Sequence, residues 1–111
     1  MQFPKDVNGD VFRRMQNSGF DFSKPHDVEF FAVFRTEGEA DAVAKQYLAD
    51  HKTGQRLVNI ETRPASEGGM ELLLVKNMLL TYEGIVDFER KLEERVSACD
   101  GYLDGWGVLQ D

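Results

Sequence analysis

The segment that most constrains the fold is a run of aromatic and β-branched residues from Val28 to Arg35. Such residues favour a strand, in which successive side chains point to opposite faces of a sheet. The alternate side chains form two apolar sets, Phe30, Ala32 and Phe34 on one face and Phe31 and Val33 on the other. Because both sets are apolar, we expect both faces of the sheet to be covered.

The rest of the chain predicts three helices and three further strands. Three segments repeat apolar residues at the spacing of an amphipathic helix. They begin at Asp10, at Thr36 with a capping box to Glu39, and at Thr81 or Tyr82, and they end at Ser18-Gly19, Gly54 and Asp100-Gly101. Three β-rich runs bounded by glycine or proline predict strands at Leu57–Thr62, Met70–Leu79 and Tyr102–Leu109.

The order of these elements, α-β-α-β-β-α-β, predicts an α+β fold. Without the first helix the order is βαββαβ, the split pattern of a ferredoxin-like two-layer sandwich with a four-stranded antiparallel sheet. Right-handed crossovers place both long helices on one face of that sheet. Since 111 residues fall within the usual size of one domain, we predict a single domain over residues 1–111 with an extra N-terminal helix.

The second face of the predicted sheet needs a cover of its own. The strand Met70–Leu79 is also apolar on both faces, with Leu72 and Leu74 opposed to Leu73 and Val75. Left exposed, these side chains would exceed the roughly 300–600 Å² apolar patch of an ordinary monomer. We expect the first helix and its Phe20/Phe22 connector to cover this face. A second copy of the chain or another protein are the alternatives, so the chain is a monomer or a homodimer.

The charge balance restricts the class of partner. The chain carries 20 acidic and 13 basic residues, a net charge of −7, and residues 28–111 hold the whole excess with sixteen acids and nine bases. A negative surface repels phosphate backbones, so direct binding of nucleic acid is not expected. A basic protein partner would be attracted. Acidity that serves solubility alone is the alternative.

The compartment is predicted from the single cysteine and the lack of apolar runs. Cys99 has no second cysteine to pair with, which favours a reducing compartment. Apolar runs such as Leu72–Val75 and Met78–Leu80 are far shorter than the about 20 residues of a membrane helix. The first ten residues are polar and do not resemble a signal peptide. We therefore expect a cytoplasmic protein without a membrane segment.

No motif for catalysis, a cofactor or a metal is found. His26 and His51 have no other His or Cys at zinc-ligand spacing. Cys99 lies on the apolar stripe of the third helix, where a thiol is usually a small core residue. Gly68-Gly69 precedes a strand and not a helix, so it does not predict a phosphate loop. The sequence therefore predicts no catalytic residue, no cofactor, no metal and no enzyme.

The last strand holds the most informative residues, Trp106 between Gly105 and Gly107. Glycine weakens a strand by about 1 kcal/mol, so it needs a local reason. In one interpretation Trp106 caps the core and the glycines let a helix sit close. In the other, Trp106 is a partly exposed anchor for a partner, since tryptophan is favoured at interface hot spots. The candidate protein-binding residues are Asp104, Gly105, Trp106, Gly107, and Asp87 and Glu94 on the third helix.

Two separated motifs resemble the RraB family, the regulators of ribonuclease E activity. Tyr102–Gly107 reads Tyr-Leu-Asp-Gly-Trp-Gly and is similar to the (E/G)-Y-x-D-G-W-G signature that closes the family's sequences. The stretch Asp10–Glu29 resembles the family's "gD-l-[DS]-kPr-vEh" region, and Glu37–Leu48 fits its "eeaA...a" helix pattern. The resemblance spans nearly the whole chain.

The resemblance implies an α+β sandwich and a cytoplasmic inhibitor that binds the basic, non-catalytic scaffold region of ribonuclease E. It implies no catalytic residues. Better-known members carry long acidic extensions at both ends that this sequence does not show, and if inhibition needs them, a short form shares the fold without that activity. The alternative function is a small-molecule sensor or a cryptic enzyme, with a pocket between sheet and helices lined by the Phe-rich strand and Trp106.

Overall fold

The computed structural model describes residues 5–52, 54 and 57–109. Its elements, in chain order, are α1 (Val7–Asn17), β1 (Pro25–Phe34), α2 (Glu37–Lys52), β2 (Asn59–Pro64), β3 (Met70–Leu79), α3 (Tyr82–Ala98) and β4 (Tyr102–Val108). The four strands form one antiparallel sheet in the order β2-β3-β1-β4. The predicted α+β class is confirmed, with three helices and a four-stranded antiparallel sheet.

The ladder between β1 and β3 lies at the centre of the sheet. It runs without a break from the pair Pro25–Leu79 to the pair Phe34–Met70. Paired residues on neighbouring strands share a face. Phe30 and its partner Leu74 therefore lie on one face, and Phe31 with its partner Leu73 lies on the other. The structure confirms the predicted alternation in β1, because both faces of this strand carry apolar side chains.

The core lies between the first of these faces and the helices. The Phe30 ring is 4.2 Å from the Phe88 ring of α3, and Phe88 is 6.2 Å from the Tyr47 ring of α2. Both long helices are therefore on the Phe30 face. The largest fully buried side chains of this core are Phe12, Phe30, Phe34, Leu72, Leu74, Ile85, Leu92, Val28, Val43 and Val96.

Helix α1 lies on the same face as the other two helices. The ring of Phe12 is 6.3 Å from the Tyr82 ring of α3 and 5.8 Å from the Trp106 ring of β4. The connector follows it, since Phe22 stacks on Phe12 at 5.9 Å and Phe20 meets Phe22 at 4.8 Å. The prediction that α1 and the Phe20/Phe22 connector cover the second face is wrong. A short helix with one large buried side chain extends the existing core and does not build a second one.

The start of α1 also differs from the prediction. Its N-cap is Asp6 and not Asp10, because the backbone N–H of Gly9 donates to Asp6 Oδ1 at 2.7 Å. Asp10 instead lies in the first turn, where its carboxylate pairs with Arg13. Both positions suit a carboxylate, since the helix N-terminus carries a partial positive charge.

The other boundaries are closer to the predictions. The capping box of α2 is confirmed by the backbone N–H of Glu39, which donates to Thr36 Oγ1 at 3.3 Å. Thr81 caps α3, and β3 has the predicted bounds. Strand β2 ends two residues later than predicted, at Pro64. It is an edge strand, where the missing N–H of proline costs no ladder bond.

We expect the substitution Phe12→Ala to lower the free energy of unfolding by about 3–5 kcal/mol, because it removes the fully buried ring that joins α1 to β4 and α3. Urea denaturation measures the change. Val7→Ala is the control in the same helix, since Val7 is 78% exposed and its loss should change stability by less than about 0.5 kcal/mol. Equal effects of the two substitutions would contradict the described docking of α1.

Candidate protein-binding site

The indole of Trp106 is half-buried and tied to two helices. Its ring packs against Phe12, and its Nε1–H donates to Asn8 Oδ1 of α1 at 2.8 Å. The Asn8 amide in turn donates to Glu89 Oε1 of α3 at 2.7 Å. This chain of contacts agrees with the interpretation in which Trp106 caps the core, and it fixes the indole N–H inside the molecule.

The two glycines beside Trp106 lie on the second face of the sheet. Gly105 pairs with Phe31 and Gly107 pairs with Glu29 of β1. A Cβ at either glycine would meet no heavy atom within 4 Å among the described residues. The prediction that these glycines let a helix sit close is wrong, because the helices occupy the opposite face. The glycines instead leave open space.

A β-bulge separates Asp104 from the regular ladder. The register shifts between Phe31, which pairs with Gly105, and Ala32, which pairs with Leu103, so Asp104 is the extra residue. Gly105 has a φ of 132°, a conformation that other residues rarely adopt. Asp104 is exposed and lines a cleft of about 340 Å³ together with Val33, Glu71, Tyr102 and the β2–β3 turn.

Asp87 and Glu94 lie on the outer face of α3, away from Asp104. Arg90 bonds to both, at 3.0 Å from Asp87 and 3.3 Å from Glu94, and Lys91 Nζ lies 3.1 Å from Asp87. Hydrogen bonds from Lys91 and then Arg90 lower the pKa of the Asp87 carboxyl. The negative charge of this helix face is thus partly neutralised by its own bases. Of the six predicted binding residues, Asp104, Gly105 and Gly107 lie on the second face or its rim, whereas Trp106, Asp87 and Glu94 lie on the helix side of the sheet.

The second face of the sheet carries acidic residues that were not selected from the sequence. Glu71 accepts from Arg63 Nε at 2.8 Å, and the hydrogen bond and charge of Glu71, followed by the charges of Glu61 and Glu29, raise the pKa of Arg63. Glu71 thus contacts the guanidinium, and the charges of Glu61 and Glu29 act on it at longer range. The alternation of side chains along β1 predicts that Glu29 and Phe31 share a face. That Glu61 and Glu71 lie on the same face follows only from the register of three strands.

We call this second face the open face. Its members extend across all four strands and include Glu29, Phe31 and Val33 of β1, Glu61 and Arg63 of β2, Glu71, Leu73 and Val75 of β3, and Tyr102, Gly105 and Gly107 of β4. Among the described elements, the three helices all pack on the other side.

The described residues assemble no metal site. Within them, no group of three or more His, Cys, Asp or Glu side chains could hold a metal ion. His26 stacks beside Phe20, and its Nε2 lies 2.8 Å from the Asp21 carbonyl oxygen. The side chain of His51 lies outside the described part of the chain. Cys99 is half-buried against the core, as predicted.

Two further pKa shifts belong to a helix cap and to a packing contact. Hydrogen bonds from Tyr82 and then from the Gly9 N–H lower the pKa of the cap residue Asp6. Burial raises the pKa of Tyr47 to about 12, farther from neutral pH than the ordinary value. Neither shift prepares a group for proton transfer near neutral pH.

The side chains predicted to line the small-molecule pocket of the alternative function pack against side chains of the helices instead. Phe30 packs on Phe88, and Trp106 packs on Phe12. A described cleft of about 480 Å³ lies instead at one end of the sheet, beside Phe20. None of the described helices is long and apolar enough to cross a membrane.

Comparison with known families agrees with the two motifs. The family model RraB, described as "Regulator of ribonuclease activity B", matches residues 5–108. The chain belongs to the RraB family. The match covers all seven elements from α1 to β4, and it confirms the resemblance seen in the sequence. A comparison with curated proteins gave no match.

We expect Asn8→Ala to raise the pKa of Glu89 further. Burial already raises that pKa, and the hydrogen bond from Asn8 opposes the rise. A ¹³C NMR titration of the Glu89 carboxyl measures it. Because the pKa in the folded state is raised, the stabilising contribution of Glu89 is fully present below its unfolded pKa and is lost as pH rises through its folded pKa. The variant should extend that loss to higher pH.

Asn8→Ala also leaves the Trp106 N–H without its acceptor, so the free energy of unfolding at pH 7 should fall by about 1–3 kcal/mol. Asn17→Ala, at an exposed position of the same helix, is the control and should change neither quantity. A Glu89 pKa that does not respond to Asn8→Ala would contradict the Trp106–Asn8–Glu89 chain.

Proposed function

We propose that this chain is a non-enzymatic regulator that binds ribonuclease E through the non-catalytic scaffold region of that enzyme and inhibits or modulates it. The observation that carries the proposal is the family match over residues 5–108. The family description concerns ribonuclease activity, and the two motifs quoted above resemble regulators of ribonuclease E in particular.

The charge of the chain supports a basic protein as partner. The net charge is −7, and acidic side chains are present both on α3 and on the open face. Such a surface attracts Arg-rich segments and repels RNA, so we propose contact with the enzyme and not with its substrate. The single half-buried Cys99 fits the reducing cytoplasm, where we place the protein.

We also propose that the fold is a ferredoxin-like sandwich formed by one domain. The βαββαβ order from β1 to β4 supports it, as does a sheet whose two central strands are β1 and β3. The candidate docking residues remain Asp104, Gly105, Trp106 and Gly107 in β4 and Asp87 and Glu94 in α3. Asp104, Gly105 and Gly107 lie on one side of the sheet and Trp106, Asp87 and Glu94 on the other, so the six residues do not form one continuous surface.

The test uses the purified chain, full-length ribonuclease E and a ribonuclease E truncated to its catalytic half. We expect the chain to bind and inhibit the full-length enzyme and to leave RNA cleavage by the catalytic half unchanged. Calorimetry and an RNA-cleavage assay measure the two effects. Absence of binding to the full-length enzyme at low salt would contradict the proposal.

We expect the affinity to fall steeply as salt is raised, because the Debye length shortens from about 30 Å at 0.01 M to about 8 Å at 0.15 M and screens the acidic surface. Binding isotherms at several salt concentrations measure the slope. An affinity independent of salt would contradict an electrostatically attracted basic partner.

A further inference from the structure

The open face presents an apolar centre that does not belong to the core. Phe31 and Val33 are half-buried, whereas Leu73 and Val75 are 6% and 4% exposed. The core cluster contains the alternate residues of β1 and β3 and does not include these four. None of the three described helices packs on this side of the sheet.

Two glycines leave open space beside Phe31 along β4, and we call this space the groove. Gly105 and Gly107 lie on the open face without side chains, and a Cβ at either would meet no heavy atom within 4 Å among the described residues. The positive φ of Gly105 explains why this position is occupied by glycine. Gly107 has no positive φ and no crowded neighbour, so neither backbone nor packing requires glycine there. Glycine in a strand otherwise marks a place where something approaches the backbone closely.

The open face carries an excess of acidic side chains, as α3 does. Glu29, Glu61 and Glu71 share this face with one base, Arg63, which leaves two negative charges in excess, and Asp104 adds another at the rim. On α3, five acidic and three basic side chains leave the same excess of two, and Asp87 and Glu94 there pair with Arg90 and Lys91. The ion pair between Arg63 and Glu71 shows that this face holds a guanidinium against a carboxylate.

We propose that the open face is the docking surface for a basic segment of a partner protein, in which Arg or Lys side chains alternate with apolar ones. The apolar side chains fill the groove over Gly105 and Gly107 and contact Phe31 and Val33. The basic side chains pair with Glu29 and Glu61, since charge-assisted hydrogen bonds to carboxylates are the strong ones. This proposal rests on the proposed function in taking the partner to be a protein.

The same charges decide against the other occupants. In a symmetric dimer the same patch faces itself, so a second copy would bring the carboxylates of two open faces together. A nucleic acid would bring phosphates against them. A segment of alternating basic and apolar residues pairs its basic side chains with the carboxylates and covers the apolar centre with its apolar ones.

The first test fills the groove without disturbing the fold. We expect Gly107→Val to fold with unchanged or higher stability, because the Cβ enters open space and valine favours a strand, and to weaken binding roughly tenfold or more by occupying the groove. Gly38→Val is the matched control, since Gly38 in α2 also has open space for a Cβ but lies on the helix side. The control should bind within about twofold of the original chain.

A second pair of variants tests the charges. Glu61→Lys reverses an exposed charge on the open face, and Glu93→Lys makes the same change on the exposed surface of α3. We expect the first to weaken binding by roughly tenfold and the second by less than about twofold. Equal losses would indicate a non-specific response to net charge and would overturn the proposal.

Two binding probes separate this proposal from the proposed function. One is full-length ribonuclease E, and the other is a synthetic peptide of alternating Arg and Leu, with an alternating Glu and Leu peptide as its control. Amide chemical shifts of the full chain locate the peptide. We expect the Arg-Leu peptide to shift Phe31, Val33 and Gly107 and the Glu-Leu peptide to shift none of them.

The outcomes are distinguishable. Binding of the Arg-Leu peptide to the open face without binding of ribonuclease E would support the surface and contradict the proposed function. Binding of ribonuclease E that Gly107→Val and Glu61→Lys leave intact would overturn the surface and leave the proposed function standing. Concentration-dependent dimerisation that Gly107→Val abolishes would show that a second copy occupies the face, which also overturns the proposal.

Discussion

The uninterrupted ladder between β1 and β3 is the constraint on which the rest of the structure depends. Side chains alternate along a strand, so a shift of one residue in this pairing would move every side chain of one strand to the other face. The pair Phe30–Leu74 lies on the face that the helices cover, and the pair Phe31–Leu73 lies on the face that the helices leave uncovered. The core and the open face are therefore two results of one register.

Features that depend on neighbouring residues could be predicted from the sequence. The capping box at Thr36, the cap at Thr81 and the bounds of β3 all follow from side chains within a few positions of each other. The side of the sheet on which α1 lies could not, because it depends on contacts such as that of Asn8 with Trp106, which are 98 positions apart in the chain. A pattern along α1 shows that it has an apolar stripe but not which partner buries it.

The candidate site shows the same division. Asp104 to Gly107 were selected as one segment, yet the bulge and the alternation of β4 send Trp106 to the core side and the two glycines to the open face. Glu61, from a different strand, joins that face only through the sheet register. The unusual composition of this segment is visible in the sequence. The surface to which each of its residues contributes depends on strand pairing between distant parts of the chain, which the sequence does not show.

The bulge in β4 has a consequence for assembly. Strand β4 is an edge strand, and an unpaired edge is a template on which a further strand can add by backbone hydrogen bonds. The extra residue Asp104 breaks the even spacing of those donors and acceptors, and it places a carboxylate at the break. Lateral growth of the sheet into a polymer is thereby disfavoured at this border, even though the strand is rich in glycine and ends close to the chain terminus.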